Sequence, residues 1–564
     1  MYLLPDEKKF QAQVLKVLND CRISCQTRAN HARQWKTWRE TGSPDGGQAI
    51  FNRLKYHIGR MQGFLYSPSG LRFAVEYENR YEESVYAQSE AAAVALTKRF
   101  VRPRRGEDMT SGMLFADGVY EALTYGAAVV KTLQERWGPT QRLVMPWQMG
   151  VYREDLRGFE QQEAISETNY ITPFDLWRRI SHQLGAVEKY KRARAYAKRT
   201  TNAPEGGGYF HQVVLGGTSP AVLTDQPYVA QAGGFVTGAA PTMLSPEVAE
   251  DLIELHELWI RDDVTGDWTT VQIVEPDIVI TSKLRRQNLF LPNRLPYTLI
   301  QPNGMTHNFW GASELEQLVK LQWLLRDRAE DMKKLMSLQY DRLLAFTGQS
   351  GMTDDTYDRQ KQAGWFQLDP GSDVKDLTPQ MPENSWQEFD WYFKLFDEIA
   401  GFKPIMAGEG DAGVRSGNQA QTLLRTASPQ MRDKALVTEL QCGMAGHNFF
   451  ECLAQKQART YWTKAGVPQT DFYLNQLPED RVVTVDSHSS SPIYEDEHMQ
   501  LAAFALKGGV IDGESFIDMV NGFPQPELMK EKLAQREAAK AAQIKQLSMT
   551  DPQGAMKLIQ GGKR

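Results

Sequence analysis

Cysteine is scarce: the 564 residues carry four. Cys21 and Cys25 stand one helical turn apart, and Cys442 and Cys452 flank His447, spacings looser than the tight Cys/His pairs that hold zinc. These cysteines read as structural thiols of a reducing compartment, which excludes a disulfide scaffold. Long hydrophobic runs are missing as well. No stretch approaches the roughly 18 apolar residues of a membrane span, and the opening MYLLPDEKKF lacks the charged-then-apolar pattern of a secretory signal. A soluble product of the cytoplasm with no membrane partner is expected. Catalytic signatures are absent too: there is no GxxxxGK[ST] phosphate loop, no HExxH and no GxSxG elbow. The glycines at 206–208 are followed by no helix pattern and read as loop. Adjacent carboxylates such as Asp354 and Asp355 more often face water in a turn than share a metal. The sequence therefore assigns no catalytic residue, no metal ligand and no cofactor, and an enzyme is not expected.

What is present is an ordinary globular composition, 41% hydrophobic and 24% charged, which suffices for a packed interior. The length exceeds one typical core and implies several substructures. A formal net charge of −6 excludes a global polyanion binder, so contact with nucleic acid must be local.

The fold class expected is α+β, mainly helical. Amphipathic spacing predicts helices over 6–40, 48–66, 83–101 and 107–125, with breakers GSPDGG at 42–47 and SPSG at 67–70. Short apolar runs predict strands at 127–133, 142–145, 151–152, 256–260 and 268–271. A helix is expected over 172–199, and the Gly-, Thr-, Ala- and Pro-rich 200–245 reads as a long loop or insertion.

The middle of the chain is more distinctive. From Ser313 it runs to Leu343 without glycine or proline, and Ser313 with Glu316 forms a capping-box pattern. Leu315, Leu318, Gln322, Leu325, Ala329, Met332, Met336 and Leu343 fall at near-heptad spacing on one stripe. Such a helix would run about 46 Å at 1.5 Å per residue. A compact segment at 347–384 follows, with a strand expected at 364–368. A returning helix at 386–400 then carries Trp386, Phe389, Phe393 and Phe396 on one face. Next come the glycine-rich 408–413 and a third helix over 418–458, interrupted by Pro429. Trp310, Trp323, Trp386 and Trp391 are candidate subunit anchors or ordinary core residues.

Several phrases carry a family resemblance. ALTYGAAVVK at 122–131, NFWGASELE at 308–316, VRSGNQA at 414–420, LKGGVID at 506–512 and GFPQP at 522–526 occur in order along the chain. Together with the helix, small module, returning helix and glycine-rich loop, they resemble the layout of tailed-bacteriophage portal proteins (head-to-tail connectors). The resemblance implies a wing at 1–311, a first stem helix at 312–343, a clip at 344–384 and a second stem helix at 385–401. A tunnel loop at 402–417, a kinked helix with the rest of the wing at 418–494, and a crown and tail at 495–564 complete it. It further implies a homo-oligomeric ring of about twelve copies at a virion's portal vertex. Double-stranded DNA would pass through that ring. The terminase large subunit, major capsid and scaffold proteins, and head-tail adaptor or tail proteins would dock on it. Stem packing would fall to Leu315, Leu318, Leu325, Met332, Met336, Phe389 and Phe393. A monomeric virion scaffold or adaptor, or a metal-dependent DNA-processing enzyme, is the alternative.

Charge is patterned to match. Residues 344–411 hold thirteen Asp or Glu against five Lys or Arg, among them Asp354, Asp355, Asp358, Asp369, Asp373 and Asp376. A channel that passes DNA should not grip it, since every phosphate neutralised by a cation releases counterions and holds the duplex. In the expected tunnel loop, Gly408, Gly410 and Gly413 confer mobility and Glu409 and Asp411 repel phosphate. Lys403 and Arg415 are there as sparse transient contacts. Basic character lies at 178–199 instead, with eight Lys or Arg against one Glu.

Overall fold

The computed structural model describes residues 7–45, 47–102, 109–135, 138–181, 185–195, 198–199, 251–274, 278–280, 294–340, 344–347, 373–380, 384–401, 429–456, 459–462, 470–486 and 495–513, with isolated positions between and beyond them. The first half of the chain runs α1 (Glu7–Thr41), α2 (Arg53–Leu65), β1 (Phe73–Tyr77), α3 (Glu83–Val101), α4 (Ser111–Tyr125), β2 (Ala128–Glu135), β3 (Gly138–Val144) and β4 (Met149–Val151). It continues with β5 (Ala164–Ile171), α5 (Pro173–Ile180), α6 (Ala186–Ala195), β6 (Lys198–Arg199), β7 (Asp251–Arg261), β8 (Trp268–Val274), β9 (Ile278–Val279) and β10 (Tyr297–Ile300). Then follow α7 (Val319–Tyr340), β11 (Leu344–Thr347), β12 (Asp373–Asp376), α8 (Ser385–Ile399), α9 (Pro429–Gln455), β13 (Arg459–Trp462), β14 (Thr470–Tyr473), β15 (Arg481–Val485) and α10 (Glu495–Lys507). The fold is α+β and mainly helical. It divides into two compact units, one of Met1–Ala29, Gly59–Ser313 and Gln430–Arg564, the other of Asn30–Ile58 and Glu314–Pro429.

The first unit is layered. Its larger sheet has strand order β4-β5-β7-β8-β9, antiparallel throughout, with β6 paired to β7. Phe10, Val14, Val17, Leu18 and Cys21 recur at helical spacing on α1 and pack on Ala164, Leu258, Ile260, Val271 and Ile273. The alternate residues Ile165 and Trp259 project to the other face, where they meet Val129, Val144 and Tyr297 of a second, three-stranded sheet ordered β10-β2-β3. Helix α4 lies against that second sheet so closely that a Cβ at Gly118 would stand 2.6 Å from Ile300 Cδ1. The α4-to-β2 turn is made by Gly126, whose φ of +91° favours glycine and whose N–H closes on the Ala122 carbonyl at 2.8 Å.

Between the sheets sits an ionic cluster. Glu167 on β5 lies directly across from Glu257 on β7, and Lys131 on β2 directly across from Arg142 on β3. Like charges paired across strands destabilise a sheet, but here the two pairs face each other. Lys131 Nζ donates to Glu167 Oε2 at 2.6 Å and to Glu257 Oε1 at 2.7 Å, and Arg142 donates to Glu167 Oε1. Asn169 and the hydroxyl of Tyr297 donate to Glu167 as well, and the Trp259 indole to Glu257. Burial pushes the Glu167 carboxyl up, yet the charges of Lys131 and Arg142 outweigh it and hold the group down at about 2. Burial beside Glu167 raises the Tyr297 phenol.

The segment read as one helix over 172–199 is two helices and a strand. Thr172 caps α5 by accepting from the Asp175 N–H at 3.1 Å, with Pro173 at the first helical position. The chain breaks after Ile180 and restarts past Gly185, whose φ is +73°. That turn lets Leu176 and Ile180 of α5 and Ala186 and Ala193 of α6 pack on the same cluster of Ile253, Leu255, Val274 and Ile278. A single straight helix could not lay all four on it. Lys198 and Arg199 then pair with Leu252 and Asp251. The 200–245 stretch lies outside the described residues.

Elsewhere in this unit β1 pairs with β15, and Arg481 makes two hydrogen bonds to the Glu451 carboxylate of α9, at 2.8 and 2.9 Å. Cys21, Cys442 and Cys452 are buried thiols not joined in disulfides; burial pushes Cys442 far up and Cys452 up to about 12. His447 contacts Arg294 through Nε2, and burial, reinforced by that guanidinium, lowers it to about 4. No described helix is long and apolar enough to cross a membrane.

Candidate functional site

The second unit holds the helix, small module and returning helix. Its long helix begins at Val319, six residues after Ser313. The Ser313 hydroxyl donates to the Thr124 carbonyl, within the first unit, at 2.5 Å, and residues 314–318 form a turn rather than helix. Leu315 accepts from the N–H groups of Leu318 and Val319, so a turn precedes the helix, with Leu315 and Leu318 buried in it. Along α7 the stripe continues through buried Leu321, Gln322, Leu325 and Ala329. It does not persist: Met332 is half-buried and Met336 exposed, while Leu343 lies outside the described residues.

Helix α8 returns against α7. Arg328 meets Glu388 at 3.0 Å, and Arg328, Met332, Leu335, Ser385, Glu388 and Phe389 line a cleft of about 160 Å³ between them. Leu335, late in α7, shares the cleft with Ser385 at the start of α8, while Arg328, earlier in α7, meets Glu388, further along α8, so the two helices run in opposite directions. Phe389 and Phe396 are buried and Phe393 half-buried. The chain between α1 and α2 completes the packing. Phe51 lies 5.6 Å from Phe389 and 6.0 Å from Phe393, ring centre to ring centre. Arg53 lies over the rings of Phe393 and Phe396 and donates to both oxygens of Asp397 at 2.9 and 3.0 Å. Gln322 is buried because its amide is satisfied: it accepts from the Arg53 N–H and donates to the Phe51 carbonyl. His57 also meets Phe396 edge-on at 6.2 Å, and no pattern in the sequence places Phe51, Arg53 or His57 near the paired helices. The only signal was the turn at 42–47, which folds this stretch back from α1.

Outward, the unit is apolar in an unusual way. Trp323 is 53%, Trp386 59%, Trp391 56% and Tyr340 89% exposed. Trp386 thus does not join Phe389 and Phe396 inside. Trp310 differs from the other three tryptophans: in the first unit it is fully buried, its indole donating to Glu154 at 2.8 Å.

Strands β11 and β12 form an antiparallel pair with Leu344 across from Asp376 and Thr347 across from Asp373. Asp355, Asp358, Asp373 and Asp376 are all exposed. Asp373 accepts from the Val374 N–H and Asp376 from the Thr378 N–H, each at 2.9 Å, so these two also shape the chain around them. Among the described residues no group of His, Cys, Asp or Glu is arranged to hold a metal. Asp354, Asp369 and the strand expected at 364–368 lie outside the described residues. So do Lys403, Gly408, Glu409, Gly410, Asp411, Gly413 and Arg415, and residues 418–428 of the third helix, which is described from Pro429 onward.

What the geometry offers is a stiff antiparallel pair of helices, an acidic solvated module at one end and exposed aromatic side chains along it. No protein-family model matches the chain, and no curated protein does. Among solved structures it is similar to a chain in the neck of an empty gene transfer agent (GTA) particle, at 12% identity over 83% of this chain and 90% of that chain, with a TM-score of 0.37. It is also similar to a chain in the virion of a native gene transfer agent particle, at 12% identity over 83% and 94%, with a TM-score of 0.35.

Proposed function

We propose that the chain is a portal subunit of a tailed-phage-type virion, one of a ring of about twelve through which double-stranded DNA is packaged and ejected. The observation that carries this reading is the second unit, in which α7 and α8 pair antiparallel around the small β11–β12 module. Copies of such a pair set around an axis make a tube. Cyclic closure requires two different, complementary sides on each subunit, and exposed Trp323, Trp386, Trp391 and Tyr340 supply apolar surface for one of them. The phrases at 122–131, 308–316, 414–420 and 506–526 support the same reading through their order.

The action is mechanical. Exposed carboxylates of the module, repeated around a ring, form a negative collar that DNA slides past rather than binds. Residues 402–417 act as the tunnel loop. With no phosphate-binding loop in the sequence, the energy comes from a separate motor, the terminase large subunit, docking at the clip. Capsid, scaffold and adaptor or tail proteins meet the rest of the ring.

The test is the mass of the purified full-length chain in solution, with negative-stain images of the same sample. Rings of about a dozen subunits with a central hole are expected. A monomer that persists when capsid and scaffold proteins are present overturns the reading and leaves a scaffold or adaptor role.

A further inference from the structure

The basic segment lies on α5 and α6 of the first unit, and there it borders an open cleft of about 630 Å³. The cleft is lined by Trp177, Val187, Tyr190, Lys191, Arg194 and Ala195. Over 173–195 six Lys or Arg stand against two Asp or Glu, a local +4 in a chain of −6. Of the cations, Arg178, Arg179, Lys191 and Arg194 are exposed and have no carboxylate within ion-pair distance among the described residues. Asp175 is held in the cap of α5 by the Thr172 hydroxyl at 3.0 Å. Aromatic rings are interleaved with these charges. Phe174 is 71% exposed and Trp177 38%, and Trp177 meets Tyr190 edge-on at 5.4 Å.

We infer that this cleft binds single-stranded nucleic acid, an assignment that does not depend on ring assembly. Guanidinium groups recognise phosphate oxygens, and unpaired bases stack on exposed aromatic faces whatever their identity. A duplex hides its base faces and would leave Phe174 and Trp177 unused. A docked protein is the poorer fit. Lys191 and Arg194 line the cleft, and covering them with protein would bury two charges that each demand a partner carboxylate. A phosphate backbone passes such groups while they keep their water.

The experiment is fluorescence anisotropy of the full-length protein with a labelled oligothymidylate, with the matching duplex and polyglutamate as competitors. We expect binding whose affinity falls with salt at a log–log slope of about −3, for four neutralised phosphates on a single strand. Trp177→Ala should weaken it about tenfold, with Trp177→Phe retaining most of the affinity. Lys191→Gln with Arg194→Gln, the two cations that line the cleft, should roughly halve the slope. If Trp177→Ala fails to fold, Phe174→Ala, at a more exposed side chain, carries the same test. The inference is overturned if there is no binding at about 50 mM salt, or if all these variants leave binding intact. It is equally overturned if polyglutamate or duplex competes as well as the single strand while the aromatic variants are silent, which would make the cleft a general basic surface or a protein-docking site.

Discussion

At the scale of residues, the Lys131–Glu167–Glu257–Arg142 cluster is where stability is most exposed to a single change. Lys131 and Glu167 are out of water and depend on each other, on Arg142 and on Glu257 for compensating charge, so removing one partner strands the rest. Glu167→Gln is expected to cost about 3–5 kcal/mol in denaturant unfolding of the purified protein. Replacing Glu167 and Lys131 together by Leu and Met should cost much less than the two single changes summed, because no charge is then left alone. Glu167 and a second buried group, His447, set the acid side of the stability curve. His447 is lowered to about 4 from an ordinary 6.5, so from pH 6.5 down to 4 the unfolded chain takes up a proton that the folded one refuses. Glu167 acts next: its contribution is complete above an ordinary 4.5 and is lost as pH falls toward about 2. Thermal unfolding should therefore move to lower temperature in two steps on acidification, and His447→Gln should flatten the first. A single step unaffected by that substitution would show that other groups govern it.

Elements differ in which of their residues are buried in the fold and which are left exposed. In α8 Phe389 and Phe396 are buried against α7 and the 51–57 stretch, and Phe396→Ala should lose about 3–5 kcal/mol. Trp386→Ala and Trp391→Ala, at exposed positions of the same helix, should change subunit stability by about 0.5 kcal/mol or less. If these tryptophans cover a neighbouring copy, the double variant should nevertheless shift the sedimentation profile from rings toward smaller species. At the α4–β2 turn Gly126→Ala would bring a Cβ within 2.8 Å of the Trp310 carbonyl at a positive φ. A cost of about 1–3 kcal/mol should appear in the unfolding midpoint.

At the scale of the whole molecule, the proposed portal reading is tested by the passage of DNA. Shortening 408–413 should leave ring assembly intact while impairing packaging or genome retention, read as the DNA content of assembled particles. Loss of rings in that deletion would make the segment structural. Replacing Asp355, Asp358, Asp373 and Asp376 by Asn removes exposed charge without emptying any core. Rings should still form, and should retain DNA more tightly at low salt, where charge is least screened.

Helix positions were legible in the sequence because a helix closes its own hydrogen bonds locally: α1, α3 and α8 lie within a residue or two of where spacing and breakers put them. Short apolar runs marked β2, β3, β4, β7 and β8, whereas β1, β5, β10 and β15 were not legible, because a strand's hydrogen-bond partners lie elsewhere in the chain. The acidic character of 344–411 and the basic character of 178–199 needed only counting. What tertiary structure decided depends on partners far away in the chain. Ser313 has the spacing of a cap, yet residues 314–318 form a turn and the helix starts later, at Val319. The stripe on α7 fades at Met332 because burial depends on what packs there, not on heptad spacing alone. Lys131 and Glu167 look like surface charges until two sheets close over them, and Arg53 gains its role only when Asp397 and two phenylalanines arrive from α8. Periodicity is set by neighbours a few residues apart, whereas burial of charge is decided by contacts that no local pattern encodes.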